Sequence, residues 1–136
     1  MNVGVVGLGK MGILHASLVN TIEGARVAAV CEKDSFLASA AKAMLPKTVA
    51  VYRDTGAMLA KEKLEAVYIT TPTSSHIAIL DDLLHIDRDL SVFVEKPLAS
   101  TYQEATKACE LVQSSQGVHM VGFQKRFSPV FRKAKQ

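Results

Sequence analysis

The 136 residues are 49% hydrophobic and 21% charged, with a formal net charge of +3, two cysteines and no tryptophan. That balance excludes a disordered polar chain, and two cysteines exclude a disulfide scaffold or a Cys-rich zinc site. The apolar runs, such as Val27–Cys31 and Val92–Val94, fall far short of the ~20 residues of a membrane span, and the length fits one domain.

In chain order, Asn2–Gly7 reads as a buried strand. Lys10–Thr21 reads as a helix with Met11, Leu14 and Leu18 on its inner face. Arg26–Cys31 is a second apolar strand. Asp34–Leu45 is an Ala-rich helix capped by Asp34 or Ser35 and stopped by Pro46. Thr48–Tyr52 is a short strand, and Asp54–Glu62 a short helix with an acidic cap. Glu65–Thr71 is a strand, Ser74–Leu84 a helix and Ser91–Val94 a strand. Ser100–Ser115 is a long helix with Ala105, Ala108, Leu111 and Val112 inward. Val118–Phe123 closes the series as a strand, and Ser128–Lys135 starts another helix. Strand and helix alternate six times, and the strands read as continuous apolar runs. That pattern predicts an α/β fold, a parallel sheet with helices on both faces. Tyr68, Phe93 and Phe123 are expected in its core.

The charge is unevenly placed. Gln124–Gln136 holds five basic residues and no acid, so the other 123 residues carry 11 basic and 13 acidic side chains. A basic patch confined to one short tail, without aromatic interleaving, predicts a solvated or docking segment rather than nucleic-acid binding. Met1 leads straight into the strand-like NVGVVG with no basic leader. We therefore expect a cytoplasmic, reduced protein with no membrane contact and no metal.

Gly7-Leu8-Gly9-Lys10-Met11-Gly12 matches G-x-G-x-x-G, directly after a strand and opening a helix. In that context the pattern is a dinucleotide-binding fingerprint. Gly7 allows the tight turn, Gly9 lets a pyrophosphate approach the backbone, and Gly12 lets the helix pack on the strand. The helix N-terminus offers N–H groups and a positive dipole end to the phosphates. Glu32 ends the second strand, twenty residues after Gly12, where such a fold places an acid on the adenosine ribose. A carboxylate there disfavours a 2′-phosphate, so NAD is expected over NADP. Lys33 is the competing signal, since its ammonium can reach a 2′-phosphate. The expected sheet is the doubly wound Rossmann arrangement of six strands, order 3-2-1-4-5-6.

Further motifs line up with a family. Thr71-Pro72-Thr73-Ser74-Ser75-His76 follows the fourth strand, Glu95-Lys96-Pro97 follows the fifth, and Gly122-Phe123-Gln124-Lys125-Arg126-Phe127-Ser128-Pro129 follows the sixth. Together with the glycine turn they resemble the N-terminal half of the glucose–fructose oxidoreductase / inositol dehydrogenase (Gfo/Idh/MocA) family. Its T-P-N-x-x-H, E-K-P and G-[FY]-x-x-R-[FY]-x-P signatures occur in order, with Thr73 in place of Asn. A Thr73 hydroxyl is expected to cap the helix in its stead.

The resemblance implies an NAD(P)-dependent dehydrogenase acting on a sugar, polyol or related alcohol, with Lys96 as the catalytic group. An ammonium at a strand end can assist deprotonation of a hydroxyl, and burial is expected to bring its pKa into range. Leu8, Lys10, Met11, Thr71, Pro72, Thr73, His76, Glu95 and Pro97 are expected with the glycines, Glu32 and Lys33 around the cofactor. Lys96 and Arg126 are expected to face substrate. The bond before Pro97 is a candidate for the cis form, as the resemblance also implies. His15, His76, His85 and His119 read as structural, and Cys31 as a small buried hydrophobe. The family's substrate pocket lies in a C-terminal α/β domain. Residues 1–123 are thus expected to form the cofactor domain and 124–136 the start of a connection to that further domain. The chain is expected to be one part of a homo-oligomeric enzyme, inactive alone. A non-catalytic dinucleotide-binding or sensing module working with a partner is the alternative.

Overall fold

The computed structural model describes residues 1–135; Gln136, the last residue of the expected connecting segment, lies outside them. Six strands form the frame: β1 (Asn2–Val6), β2 (Arg26–Cys31), β3 (Ala50–Tyr52), β4 (Ala66–Ile69), β5 (Ser91–Val94) and β6 (His119–Val121). They make one sheet in the order β3-β2-β1-β4-β5-β6, and every pairing is parallel. The helices are α1 (Lys10–Val19), α2 (Ser35–Met44), α3 (Thr55–Lys61), α4 (His76–Ile86), α5 (Tyr102–Gln113) and α6 (Pro129–Ala134). Short 3-10 turns occupy Thr73–Ser75 and Gln124–Phe127. This is the doubly wound order expected from the sequence.

The central strands are apolar on both sides because both sides are covered. Val3, Val5, Val30, Val67 and Ile69 are fully buried. One cluster joins Met58, Ile69, Leu80, Leu83, Leu90, Val92 and Ala108. A smaller one joins Val3, Val5, Leu8, Val19, Val27, Val30 and Ala41. Helix starts follow local chemistry. The Asp34 carboxylate accepts from Leu37 N–H and that of Asp54 from Ala57 N–H. Thr101 and Glu104 form a reciprocal capping box at α5, which satisfies two otherwise unpaired N–H groups. Helix α2 stops at Met44 because Leu45, ahead of Pro46, is extended (φ −77°, ψ 151°), the conformation that a following proline imposes.

Three expectations fail. Phe123 is 47% exposed, since β6 ends at Val121 and the chain turns away from the sheet into the 3-10 turn. Leu14 and Leu18 are 48% and 50% exposed, because α1 is rotated to bury Gly12 and Val19. Thr73 caps nothing: a 3-10 turn precedes α4, and neither start has a side-chain cap. Among the described residues no helix is long and apolar enough to cross a membrane.

Candidate functional site

The sheet ladder runs one residue past each strand and so fixes where the connecting loops begin. Gly7 N–H donates to Cys31 O (2.8 Å), Glu32 N–H to Tyr52 O (2.9 Å), Thr70 N–H to Val6 O (2.9 Å), Glu95 N–H to Ile69 O (2.9 Å) and Gly122 N–H to Val94 O (2.8 Å). Each sequence-predicted motif therefore starts at the C-terminal edge of the sheet, where open α/β folds bind ligands.

The three glycines of the first turn differ in what they must avoid. Gly7 has φ +89°, a left-handed conformation that side-chain-bearing residues rarely adopt. A Cβ on Gly12 would lie 1.9 Å from Gly7 O. Gly9 is exposed with an ordinary φ of −65°, and a Cβ there would meet nothing within 4 Å. No side chain caps α1 at this end. Its first N–H groups, on exposed Lys10 and half-buried Met11, open toward the turn. Buried Thr70 braces the turn from below. Its hydroxyl lies 3.0 Å from Val6 O and 2.8 Å from Gly7 O.

Glu32 shapes the same turn. Its Oε2 accepts from Leu8 N–H (2.7 Å) and its Oε1 from Asp34 N–H (3.0 Å). A carboxylate offers about four acceptor sites, so lone pairs remain for hydroxyls of a ligand. Lys33 is exposed, and its carbonyl accepts from Arg53 Nη2 at 2.7 Å. Gly7, Glu32, Lys33, Thr71 and Pro72 line one cleft of about 200 Å³, together with Cys31, Asp54, Thr55, Ser75, Ile79 and Asp82. Burial, reinforced by the Asp54 and Glu32 carboxylates, pushes the Cys31 thiol up to about 11, so it stays protonated. That agrees with its reading as a small hydrophobe.

The second part of the site lies after β4 and β5. His76 is 1% exposed; its Nδ1 lies 3.0 Å from Pro97 O and its Nε2 2.9 Å from Thr71 O. It thereby ties the two loops together, a structural role as expected. The Ser75 hydroxyl lies 2.8 Å from both Thr71 Oγ1 and Pro72 O. Thr73 is half-buried in the 3-10 turn. The Lys96–Pro97 peptide is cis. Glu95 is 6% exposed. Its Oε1 faces His15 Nε2 at 2.9 Å, and its Oε2 accepts from Lys96 N–H at 2.9 Å. Lys96 itself is exposed, which overturns the expected burial: the chain buries Glu95 just after β5 and turns the next residue to solvent. It forms no ion pair among the described residues. Arg126, also exposed, borders an open groove with Phe123, Phe127 and Phe131, away from the cleft.

Sequence reading missed Thr70, Asp54, Ser75 and Asp82. The place of Asp54 two residues after the third strand was the one available signal. It also missed the pairing of His15 with Glu95. His119, in β6, has a buried Nδ1 without a partner among the described residues, and burial holds its imidazole below the usual value. His85 hydrogen-bonds Asp81 on the surface of α4.

Comparison with known proteins agrees with this geometry. Residues 1–123 match a family described as an oxidoreductase family with an NAD-binding Rossmann fold. An inositol 2-dehydrogenase/D-chiro-inositol 3-dehydrogenase of Lacticaseibacillus casei is 33% identical over all of this chain and 39% of its own length. The scyllo-inositol 2-dehydrogenase (NAD(+)) of Bacillus subtilis is 32% identical over 97% of this chain and 38% of its own. A crystal structure of scyllo-inositol dehydrogenase from Lactobacillus casei, with bound NAD(H) and scyllo-inositol, superposes with a TM-score of 0.86. It is 28% identical, over 100% of this chain and 40% of that one. The chain thus spans about two-fifths of the length of the curated relatives it matches.

Proposed function

The chain belongs to the Gfo/Idh/MocA oxidoreductase family, with an NAD-binding Rossmann fold over residues 1–123, and from that premise we propose that it supplies the cofactor site of a polyol dehydrogenase. The substrate class we favour is a cyclic polyol of the inositol kind, on the strength of the relatives' names.

Gly9 carries the reading. Nothing in the folded chain requires a glycine there: φ is ordinary and the space in front is open. A ligand that must come closer to the backbone than a Cβ permits accounts for it. The N–H groups at the start of α1, at the positive end of its dipole, hold the dinucleotide's phosphates. Glu32 keeps the turn in shape through Leu8 N–H and accepts from the ribose hydroxyls. Its charge repels a 2′-phosphate and so favours NAD. NAD, when bound, accepts or returns a hydride at its nicotinamide ring. Lys96 Nζ donates to the substrate hydroxyl oxygen and assists transfer of its proton to a base of the complete enzyme as the hydride leaves the carbon that bears it, and assists the reverse step. We also read residues 124–136 as the lead into a substrate-binding part of the protein. Support comes from Phe127, Val130 and Phe131, exposed at 65%, 75% and 55%, since solvent-facing apolar residues in a cluster mark surfaces that meet another one. Both cysteines are free, which supports a reducing, cytoplasmic setting.

Titration with NADH, followed by its fluorescence, tests the binding half. The chain binds, and Gly9→Ala keeps the parent circular dichroism while losing affinity by at least about ten-fold, or ~1.4 kcal/mol. A Gly9→Ala protein with parent affinity would remove the basis of the assignment. The chemical half is tested in the complete enzyme with inositol isomers. There Lys96→Ala lowers kcat by about 10²–10⁴-fold, the usual size of an acid–base contribution, and unchanged turnover excludes the role.

A further inference from the structure

We infer that His15 is a positioning residue for Lys96, acting from helix α1 through the buried Glu95 carboxylate. The inference rests on the proposal that Lys96 assists the proton transfer.

Lys96 has nothing of its own to hold it. Its side chain is exposed and makes no ion pair among the described residues. What fixes it is its backbone: its N–H donates to Glu95 Oε2 at 2.9 Å. Glu95 is in turn 6% exposed, and a buried carboxylate without partners is strongly unfavourable. Its other oxygen is met by His15 Nε2 at 2.9 Å, across 80 residues of sequence. A carboxylate oxygen accepts, so Nε2 donates.

The His15 ring cannot swing away easily. It lies against Phe93 and Tyr68, with centroids 4.9 and 5.5 Å apart, and those two rings stack on each other at 4.7 Å. Gly122 leaves the room the pair needs. A Cβ there would lie 2.8 Å from Phe93 Cζ and 3.3 Å from Glu95 Oε1. A side chain needed for packing alone would be apolar here, as Phe93 is. A histidine has a reason only if the carboxylate needs its donor. The resulting line runs from α1, whose N-terminus holds the cofactor phosphates in the proposed reading, through His15 and Glu95 to the Lys96 backbone.

The test uses the 136-residue chain and reads Lys96 directly. Acetylation by a limiting amount of an N-hydroxysuccinimide ester is quantified at Lys96, Lys10 and Lys33 by peptide mass spectrometry. Parent, His15→Leu and His15→Gln are compared, each with and without NADH. His15→Leu strands Glu95 Oε1 and changes the Lys96 rate relative to Lys33 by about five-fold or more, a coupling typical of groups in one hydrogen-bonded network. His15→Gln, whose amide can donate to the same oxygen, restores the parent ratio. NADH affinity in both variants stays within about three-fold of the parent, the scatter of a change that touches no ligand contact. An unchanged Lys96 ratio in His15→Leu overturns the inference, as does a His15→Gln protein that behaves like His15→Leu. If His15→Leu does not fold, the His15→Gln and parent ratios are compared with Glu95→Gln, which must itself shift Lys96 for the inference to hold. Failure of the parent to bind NADH overturns the cofactor reading instead, and leaves the unliganded Lys96 ratios to decide the role of His15.

Discussion

The turn after β1 and the turn after β5 lie at the same edge of the sheet, two strands apart, and they are built differently. The first closes by close backbone approach, with the Glu32 and Thr70 side chains bracing it. Gly7 and Gly12 bring the start of α1 close over the strand end, and Gly12 has no room for even a methyl group. The second is made by side chains from elsewhere. Glu95 is held by His15 from α1, and Pro97 is held by His76 from α4. A turn closed by backbone approach is local and intolerant of substitution at its contact glycines, here Gly7 and Gly12. A side-chain-made turn can be adjusted one contact at a time, which suits a residue whose position must match a reacting atom.

The sharpest way to break that contrast is Gly12→Ala. A Cβ 1.9 Å from Gly7 O and 2.9 Å from Thr70 Oγ1 forces α1 off the sheet. The expected loss is at least about 3 kcal/mol, the upper range of overpacking, seen as loss of the cooperative thermal transition by circular dichroism. A stable Gly12→Ala protein would mean the first turn is as adjustable as the second. Next in size is Glu32→Ala. It removes the acceptor for Leu8 N–H and the proposed ribose contact together. Hydrogen bonds to charged groups contribute ~1.5–3 kcal/mol, so NAD affinity falls by about ten-fold or more. NADP affinity falls by less, because repulsion of the 2′-phosphate is relieved at the same time. Equal losses would reduce Glu32 to a purely structural brace.

The smallest effect belongs to the β5–β6 side. Partial burial lowers the pKa of His119 from 6.5 in the folded state. The unfolded chain takes up the proton first, so stability holds above 6.5 and declines as pH falls through that value toward the lower folded one. Thermal unfolding between neutral pH and about pH 5 therefore shows a falling Tm, and His119→Gln flattens that slope. A parent and variant with parallel slopes would assign the acid sensitivity to other groups.

What could be read in advance tracks the same contrast. Strands β2 and β5 match their expected limits to the residue, because each is a short apolar run bounded by polar residues. The Asp34 and Asp54 caps are where the sequence places them, since a cap contacts residues two or three positions away. The glycine turn was legible for the same reason. The His15–Glu95 pair was not, because it spans 80 residues and neither residue type announces a partner. Helix α1 was read with the wrong inner face. Leu14 and Leu18 satisfy the hydrophobic period, but the close approach of Gly12 to the Gly7 carbonyl sets the rotation of the helix. Lys96 is expected to be buried because burial brings an amine's pKa into a useful range. The structure buries Glu95 and turns the next residue outward.

The two cysteines have a practical use. Cys31 lines the cleft, buried and with its thiol pushed up to about 11, whereas Cys109 is exposed on α5 and outside that cleft. Near neutral pH a maleimide therefore has one address on the folded molecule. A dye or a surface tether attached there leaves the dinucleotide edge facing solvent. The natural chain can thus be oriented on a sensor chip without altering a single codon.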